Sequence, residues 1–306
     1  MNETPAPSLI DSFLVLPRDR SLPLGRPPLV MGIINVTPDS FSDGGLHFDR
    51  GAAVDTAMRM ISDGAAAIDV GGESTRPGAK DVPVEEECRR VIPVIEDIRR
   101  RSDVAISVDT RHASVAEAAL DAGADIVNDV SALGDDPDMC AVVARRGIPV
   151  ILMHMRGTPE TMQKLALYDD VVSDVFSELS AHRRDAISAG IRAGNILVDP
   201  GIGFAKTYEH NLELLARCGE LRRLGPVVVG ASRKAFIGHL TGREAGPERM
   251  AGSLAAVAAA HRGGAAIVRV HDVRETVDFL RVLGAIEAKD PTPDTRRLTP
   301  GREGAA

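Results

Sequence analysis

Groups able to do chemistry stand at the ends of eight short apolar runs in this chain. Asn35 closes the first run, Leu29-Val30-Met31-Gly32-Ile33-Ile34-Asn35. Gly71-Gly72-Glu73-Ser74-Thr75-Arg76-Pro77-Gly78 follows the second, and Asp109-Thr110 closes the third. Asn128-Asp129 lies in the fourth, and Met153-His154-Met155-Arg156-Gly157 ends the fifth. Asp199-Pro200-Gly201-Ile202-Gly203-Phe204-Ala205-Lys206 follows the sixth. Ser232-Arg233-Lys234 follows the seventh, and Arg269-Val270-His271-Asp272 the eighth. A single Asp or Ser after a strand is commonly a helix cap. Polar groups at the same end of every run point instead to one shared site.

Two chemistries are expected there. Asp109, Asn128 and Asp199 are short side chains on strand ends. Carboxylates accept from a planar amidine-like edge, and an amide both donates and accepts, so the trio suits the edge of a flat heterocycle. Arg269 and His271 are two apart on one strand and face the same way, as a grip for an anion. Asn128 and Asp129 point oppositely, so only one of them reaches the site. Arg76, Arg233, Lys234, Arg269 and His271 are expected to gather at one rim, which suggests a phosphate or diphosphate. No zinc spacing, nucleophile elbow or lysine-bearing phosphate loop is present, so the site is expected to align two substrates without a covalent nucleophile.

Eight strands must position these groups. The candidates are 29–36, 66–71, 105–109, 125–130, 149–154, 196–199, 227–232 and 265–270, each rich in Val and Ile as suits strands buried on both faces. Helical segments are expected at 49–63, 84–101, 113–122, 137–146, 169–189, 208–221, 247–262 and 273–288, several ending in glycine before the next strand. Eight strand–helix units predict an α/β protein, a single-domain (β/α)8 TIM barrel over 29–288, with its site at the carboxyl ends of the strands. The Pro-rich residues 1–28 read as an irregular lead-in, and 289–306 as a disordered tail.

The net charge of -8 and the aromatic content of 3% argue against nucleic acid. No apolar run approaches membrane-span length, and the N-terminus lacks the basic and apolar regions of a signal peptide. Cys88, Cys140 and Cys218 show no pairing pattern, in keeping with a reducing cytoplasm.

These motifs resemble the dihydropteroate synthase family. The resemblance covers about 29–288 and rests on MGIINVTPDSFSDGG (31–45), IDVGGESTRPGA (68–79), SVDT (107–110), IVNDV (126–130), MHMRG (153–157), DPGIGFAK (199–206), SRKAFIG (232–238) and RVHDV (269–273). It implies condensation of 6-hydroxymethyl-7,8-dihydropterin diphosphate with 4-aminobenzoate, and sulfonamides as competitors. Asp109, Asn128, Asp199 and Lys234 would hold the pterin. Asn35, Arg76, Arg269 and His271 would bind the diphosphate, with Asn35 a ligand of Mg2+. Thr75, Arg76 and Ser232 would lie at the aminobenzoate site, which Phe41 and Pro77 would help enclose. Asp109, Lys234, Arg269 and His271 would carry the chemistry, with Lys206 and Arg233 in support and Asp39 and Asp43 ordering the first loop. A homodimer is implied. The chain departs from the family at Ala205, where glycine is common. A pterin-dependent methyltransferase domain and a non-catalytic pterin binder are the alternatives; the intact 74–77 and 232–236 motifs favour the synthase.

Overall fold

Alternation along the strands decides which way every side chain points. The computed structural model describes residues 12–37, 50–74, 81–158 and 160–289. The chain starts with an antiparallel hairpin, β1 (Ser12–Leu16) and β2 (Arg20–Leu24). Eight parallel strands follow: β3 (Leu29–Asn35), β4 (Ala67–Gly71), β5 (Ala105–Asp109), β6 (Ile126–Asp129), β7 (Val150–Met153), β8 (Ile196–Asp199), β9 (Val228–Val229) and β10 (Ile267–Val270). They pair in the order β8-β7-β6-β5-β4-β3-β10-β9, and a parallel bridge between Val198 and Val227 closes the ring. The helices are α1 (Arg50–Ser62), α2 (Val84–Arg101), α3 (Ala113–Ala122), α4 (Met139–Arg146), α5 (Val171–Ser188), α6 (Tyr208–Arg217), α7 (Ala235–Thr241), α8 (Met250–Gly263) and α9 (Val273–Glu287). This is the expected (β/α)8 barrel.

Outward residues such as Val30, Ile34, Ile68, Val70, Ile106 and Val108 pack with α1, α2 and α3 in the large core. Inward residues near the strand starts, Met31, Ala67, Ala105, Ile126, Ile151, Leu197, Val228 and Ile267, form a separate apolar layer. The next inward positions are mostly polar, with Asp69, Ser107, Asn128, Asp199 and Arg269 among Ile33, Met153 and Gly230. The barrel interior is therefore apolar at its floor and polar above it.

The hairpin overturns the expectation of an irregular lead-in. Leu14, Leu16, Leu22 and Leu24 are buried against the apolar floor layer and plug the amino end of the barrel. An isolated hairpin is marginal, but burying a leucine side chain contributes roughly 1.5–3 kcal/mol, so four of them hold this one in place. Its turn is anchored as well. The fully buried Asp125 carboxylate accepts from Arg18, Arg20, Arg99 and the Ile106 backbone N–H.

Two further differences concern the seventh unit. The strand expected at 227–232 pairs regularly only at Val228–Val229: Val227 makes the closing bridge, regular pairing stops at Gly230, and the chain turns at Ser232–Arg233. The short helix α7 precedes the expected α8, ending at Gly242 with φ 67°. The tail at 290–306 lies outside the described residues.

Candidate active site

A pocket opens at the carboxyl ends of the strands. Its polar lining is Asp109, Asn128, Asp199, Lys234 and Arg269; Val130, Met153, Ile202 and Phe204 supply apolar walls. Gly230 completes the lining, and a Cβ there would stand 3.7 Å from Asp199 Oδ2 and 3.9 Å from Arg269. Its missing side chain leaves the space beside these two residues open.

The expected heterocycle-reading trio is thus brought together. Asp109 and Asn128 are register partners on β5 and β6, and Asp199 ends β8. Asp129 points outward, as alternation required. Its carboxylate accepts from the Ser131 and Leu133 backbone N–H groups (2.7 and 3.1 Å) and so shapes the loop after β6.

One charged residue of the site escaped the sequence reading. Asp69, fully buried on the inward face of β4, accepts from Asn128 Nδ2 at 3.2 Å and from Arg269 Nε at 2.5 Å. Arg269 also donates from Nη2 to Asp109 at 2.6 Å. The guanidinium therefore ties two carboxylates across the barrel. The signal for Asp69 was present: a carboxylate inside the strand Ala67-Ile68-Asp69-Val70-Gly71, where burial demands a partner. The apolar walls escaped too, because Met153, Ile202 and Phe204 read as ordinary core residues.

Electrostatics follow from burial. Burial pushes the Asp109 carboxyl up to about 7, against the pull of Arg269. Burial lifts Asp199 to about 6, against the Gly201 N–H and Lys234. Burial disfavours the Arg269 charge, but Asp69 and Asp109 more than offset this and it stays cationic. Lys234 Nζ stands 4.2 Å over the Phe204 ring.

The expected rim of cations needs correction. His271 is driven down to about 3 by burial and then by Arg233 and Arg269, so it is a neutral imidazole near neutral pH. Its backbone N–H and Nδ1 lie 3.2 and 3.1 Å from Ser232 Oγ, which joins the loops after β9 and β10. Arg233 is engaged by Asp272, with Nε 3.0 Å from Oδ2 and Nη2 on Oδ1. It holds the left-handed φ of 58°, pinned also by Ser253 Oγ on its N–H and Arg249 on its carbonyl. Arg233 thus shapes the loop that presents Ser232 and Lys234. Arg269 is engaged within the pocket.

His154 also departs from the strand-end pattern. It and Arg156 turn away from the pocket toward Glu178, and Met153 faces the pocket in their place. Lys206 is buried behind the pocket. Asn35 ends β3, half-buried, at the same end of the barrel. Phe41, Thr75, Arg76 and Pro77, with Asp39 and Asp43, lie outside the described residues. Ala205 takes φ 48°, a left-handed conformation that favours the glycine expected there.

Comparison with known proteins agrees with this geometry. A model of the family described as "Pterin binding enzyme" matches residues 31–271. The dihydropteroate synthase of Escherichia coli K12 is 50% identical over 266 residues, covering 86% of this chain and 93% of that relative. The structure of Xanthomonas albilineans dihydropteroate synthase with 4-aminobenzoic acid superposes with a TM-score of 0.85 at 49% identity, over 91% of this chain and 99% of that one. The Yersinia pestis dihydropteroate synthase in a sulfonamide drug complex gives a TM-score of 0.85 at 44% identity, over 90% of this chain and 100% of that one.

Proposed function

We propose, on the premise that this chain belongs to the family of pterin-binding enzymes and within it to the dihydropteroate synthases, how its own residues perform that family's reaction. The chain joins 6-hydroxymethyl-7,8-dihydropterin diphosphate to 4-aminobenzoate, forming 7,8-dihydropteroate and releasing diphosphate, and is a target for sulfonamides. The observation that carries the reading is the pocket itself. Two carboxylates, the buried Asp199 and the half-buried Asp109, and an amide face inward between apolar walls, beside two cations.

Asp199 and Asn128 take the amino-oxo pyrimidine edge of the pterin, which offers N–H donors to a carboxylate and both donor and acceptor to an amide. Lys234, above Phe204, meets the pterin's acceptor side. Val130, Met153, Ile202 and Phe204 contact its ring faces and exclude water. Asp109 faces the remaining ring nitrogens and supports positive charge that develops as diphosphate departs the methylene carbon. The neutral aromatic amine of 4-aminobenzoate then attacks that carbon, and the N–H proton it loses balances the new C–N bond. Arg269 and an N–H of His271 hold the departing diphosphate. Asn35 and Arg76 belong to the same anion site. Ser232, with Thr75, Arg76, Phe41 and Pro77, forms the aminobenzoate side.

Mg2+ fits this arrangement. Asn35 offers a hard carboxamide oxygen, and no cluster of three or more His, Cys, Asp or Glu ligands exists among the described residues. A magnesium ion characteristically takes one or two protein oxygens and completes its coordination with substrate phosphates and water. When bound, it neutralises charge on the diphosphate.

We also assign a homodimer. In its support, Val282 and Ile286 lie one turn apart on α9 and are 61% and 62% exposed. A cytoplasmic location agrees with the three unpaired cysteines. No helix among the described residues is long and apolar enough to cross a membrane.

The test is diphosphate release from purified protein given dihydropterin diphosphate, Mg2+ and 4-aminobenzoate, omitting one component at a time. Release that needs all three and is blocked by a sulfonamide is expected. Tight pterin binding without release would instead favour a methyltransferase domain or a non-catalytic binder. Arg269→Ala is expected to impair release and Asp199→Ala to weaken pterin binding; unchanged values would remove those roles.

A further inference from the structure

The mechanism above leaves one buried charged cluster unused. Lys206 is 4% exposed and lies outside the pocket lining. Its Nζ donates to the Phe204 carbonyl at 2.8 Å and lies 2.9 Å from His154 Nδ1. His154, 2% exposed, has Nε2 3.0 Å from Glu178 Oε2. A carboxylate only accepts, so the proton of the neutral His154 ring sits on Nε2, directed at Glu178, and Nδ1 accepts from Lys206. Arg156 closes the outer side, donating from Nε to Glu178 Oε1 at 3.0 Å and lying 3.9 Å over the Tyr168 ring. The Tyr168 hydroxyl donates to the Ala205 carbonyl at 2.9 Å. Two successive carbonyls of the loop after β8, those of Phe204 and Ala205, are therefore held from behind.

We propose that Lys206 and His154, both buried, and the part-exposed Glu178 form a relay of positioning residues that fixes the main chain at Phe204, and with it the pocket wall that faces Lys234 Nζ and a bound pterin. The inference rests on the pterin-binding reading above. Burying a lysine is unfavourable, and an apolar side chain of similar volume would fill the space at lower cost. What lysine adds is direction: one donor on the Phe204 carbonyl and one on a histidine that a carboxylate orients. Phe204 lines the pocket, and its ring lies under Lys234 Nζ. A shift of this segment therefore moves the Phe204 ring relative to a bound pterin and to Lys234 Nζ, and leaves the loop after β9, which carries Ser232 and Lys234, in place. Burial drives the Lys206 ammonium down to about 7, in keeping with its position away from water.

The test uses the full-length enzyme and dihydropterin diphosphate with Mg2+. Lys206→Met removes both donors while keeping an unbranched side chain. Loss of a buried bond from a charged donor corresponds to at least about a tenfold weaker pterin dissociation constant. The KM for 4-aminobenzoate should stay within about twofold, a split that general loss of folded protein does not produce. His154→Asn keeps an acceptor near the Nδ1 position, and His154→Leu does not. The Asn variant should therefore bind pterin about fivefold more tightly than the Leu variant. Folded Lys206→Met with wild-type pterin affinity overturns the inference. If Lys206→Met does not fold, equal pterin affinity in the two His154 variants overturns it. Failure of the wild-type enzyme to bind pterin would instead reject the functional reading itself.

Discussion

Three residues of the loop after β8, Gly201, Gly203 and Ala205, adopt left-handed backbone, and opposite substitutions at the first and last should behave very differently. Gly201 has φ 68° and Ala205 has φ 48°. At Gly201 an added Cβ would stand 3.0 Å from the His154 carbonyl carbon and overlap its oxygen. The two segments cannot simply part, because the His154 N–H donates to the Asp199 carbonyl at 2.9 Å. The Gly201 N–H meanwhile donates to Asp199 Oδ1 at 2.7 Å. Gly201→Ala thus incurs about 1–2 kcal/mol for the left-handed alanine. Disrupting the two hydrogen bonds adds roughly 2–4 kcal/mol more. The sum, on the order of 4 kcal/mol, corresponds to a drop in Tm of about 10 °C for a chain of this size. Asp199 loses its orienting donor, so pterin affinity should fall as well. Ala205→Gly is the control. It relieves about 1–2 kcal/mol of left-handed strain. It forfeits about 0.8 kcal/mol of methyl burial against Val130, Met153, Met162 and Phe204. Greater freedom of the unfolded chain removes another 0.4–1 kcal/mol or so. The net change should be under about 1 kcal/mol, which accounts for an alanine being tolerated there. Thermal melts and pterin titrations of both variants check this. A Gly201→Ala protein with wild-type Tm and wild-type affinity would refute the steric argument. So would an Ala205→Gly protein perturbed as much as Gly201→Ala.

Three other perturbations test separate parts of the structure. Asp125→Asn leaves three arginines around a neutral amide and should destabilise the protein by about 3 kcal/mol in urea unfolding; an unchanged midpoint would show that the hairpin is held by its leucines alone. Asp109 has its carboxyl raised from an ordinary 3.8 to about 7, so between those values the native state holds a proton that the unfolded chain releases. That contribution is full at the acidic end and lost as pH rises to about 7, so from pH 5 to pH 8 wild type should lose on the order of 2 kcal/mol relative to Asp109→Asn. A pH-independent difference between the two would contradict the assignment. Asp272→Asn weakens the hold on left-handed Arg233 and should lower kcat/KM about tenfold; steady-state kinetics indistinguishable from wild type would mean that Ser253 and Arg249 suffice to fix that loop.

What the sequence disclosed and what it withheld separate along physical lines. Continuous Val- and Ile-rich runs and glycine punctuation are local, and they marked the strands that build the barrel together with the strand ends where Asp109, Asn128 and Asp199 stand. Gly123 and Gly147 take the left-handed conformations their helix ends require. Pairing between distant residues is not local. Arg269 reads on its own as a cation for an anion, and only the closed ring brings it to Asp69, 200 positions away, and to Asp109, 160 away. Arg233 likewise reads as a ligand until Asp272 is seen opposite it. The same holds at the barrel floor. Leu14, Leu16, Leu22 and Leu24 alternate with other residues in a Pro-containing stretch, and the pattern acquires meaning only when an apolar layer of eight strands lies above it. His154 shows the limit most directly. A histidine at a strand end reads as a site residue, yet one step past β7 it faces Lys206 and Glu178. Its part in the site, on the inference above, is exerted through the Phe204 main chain and without touching substrate.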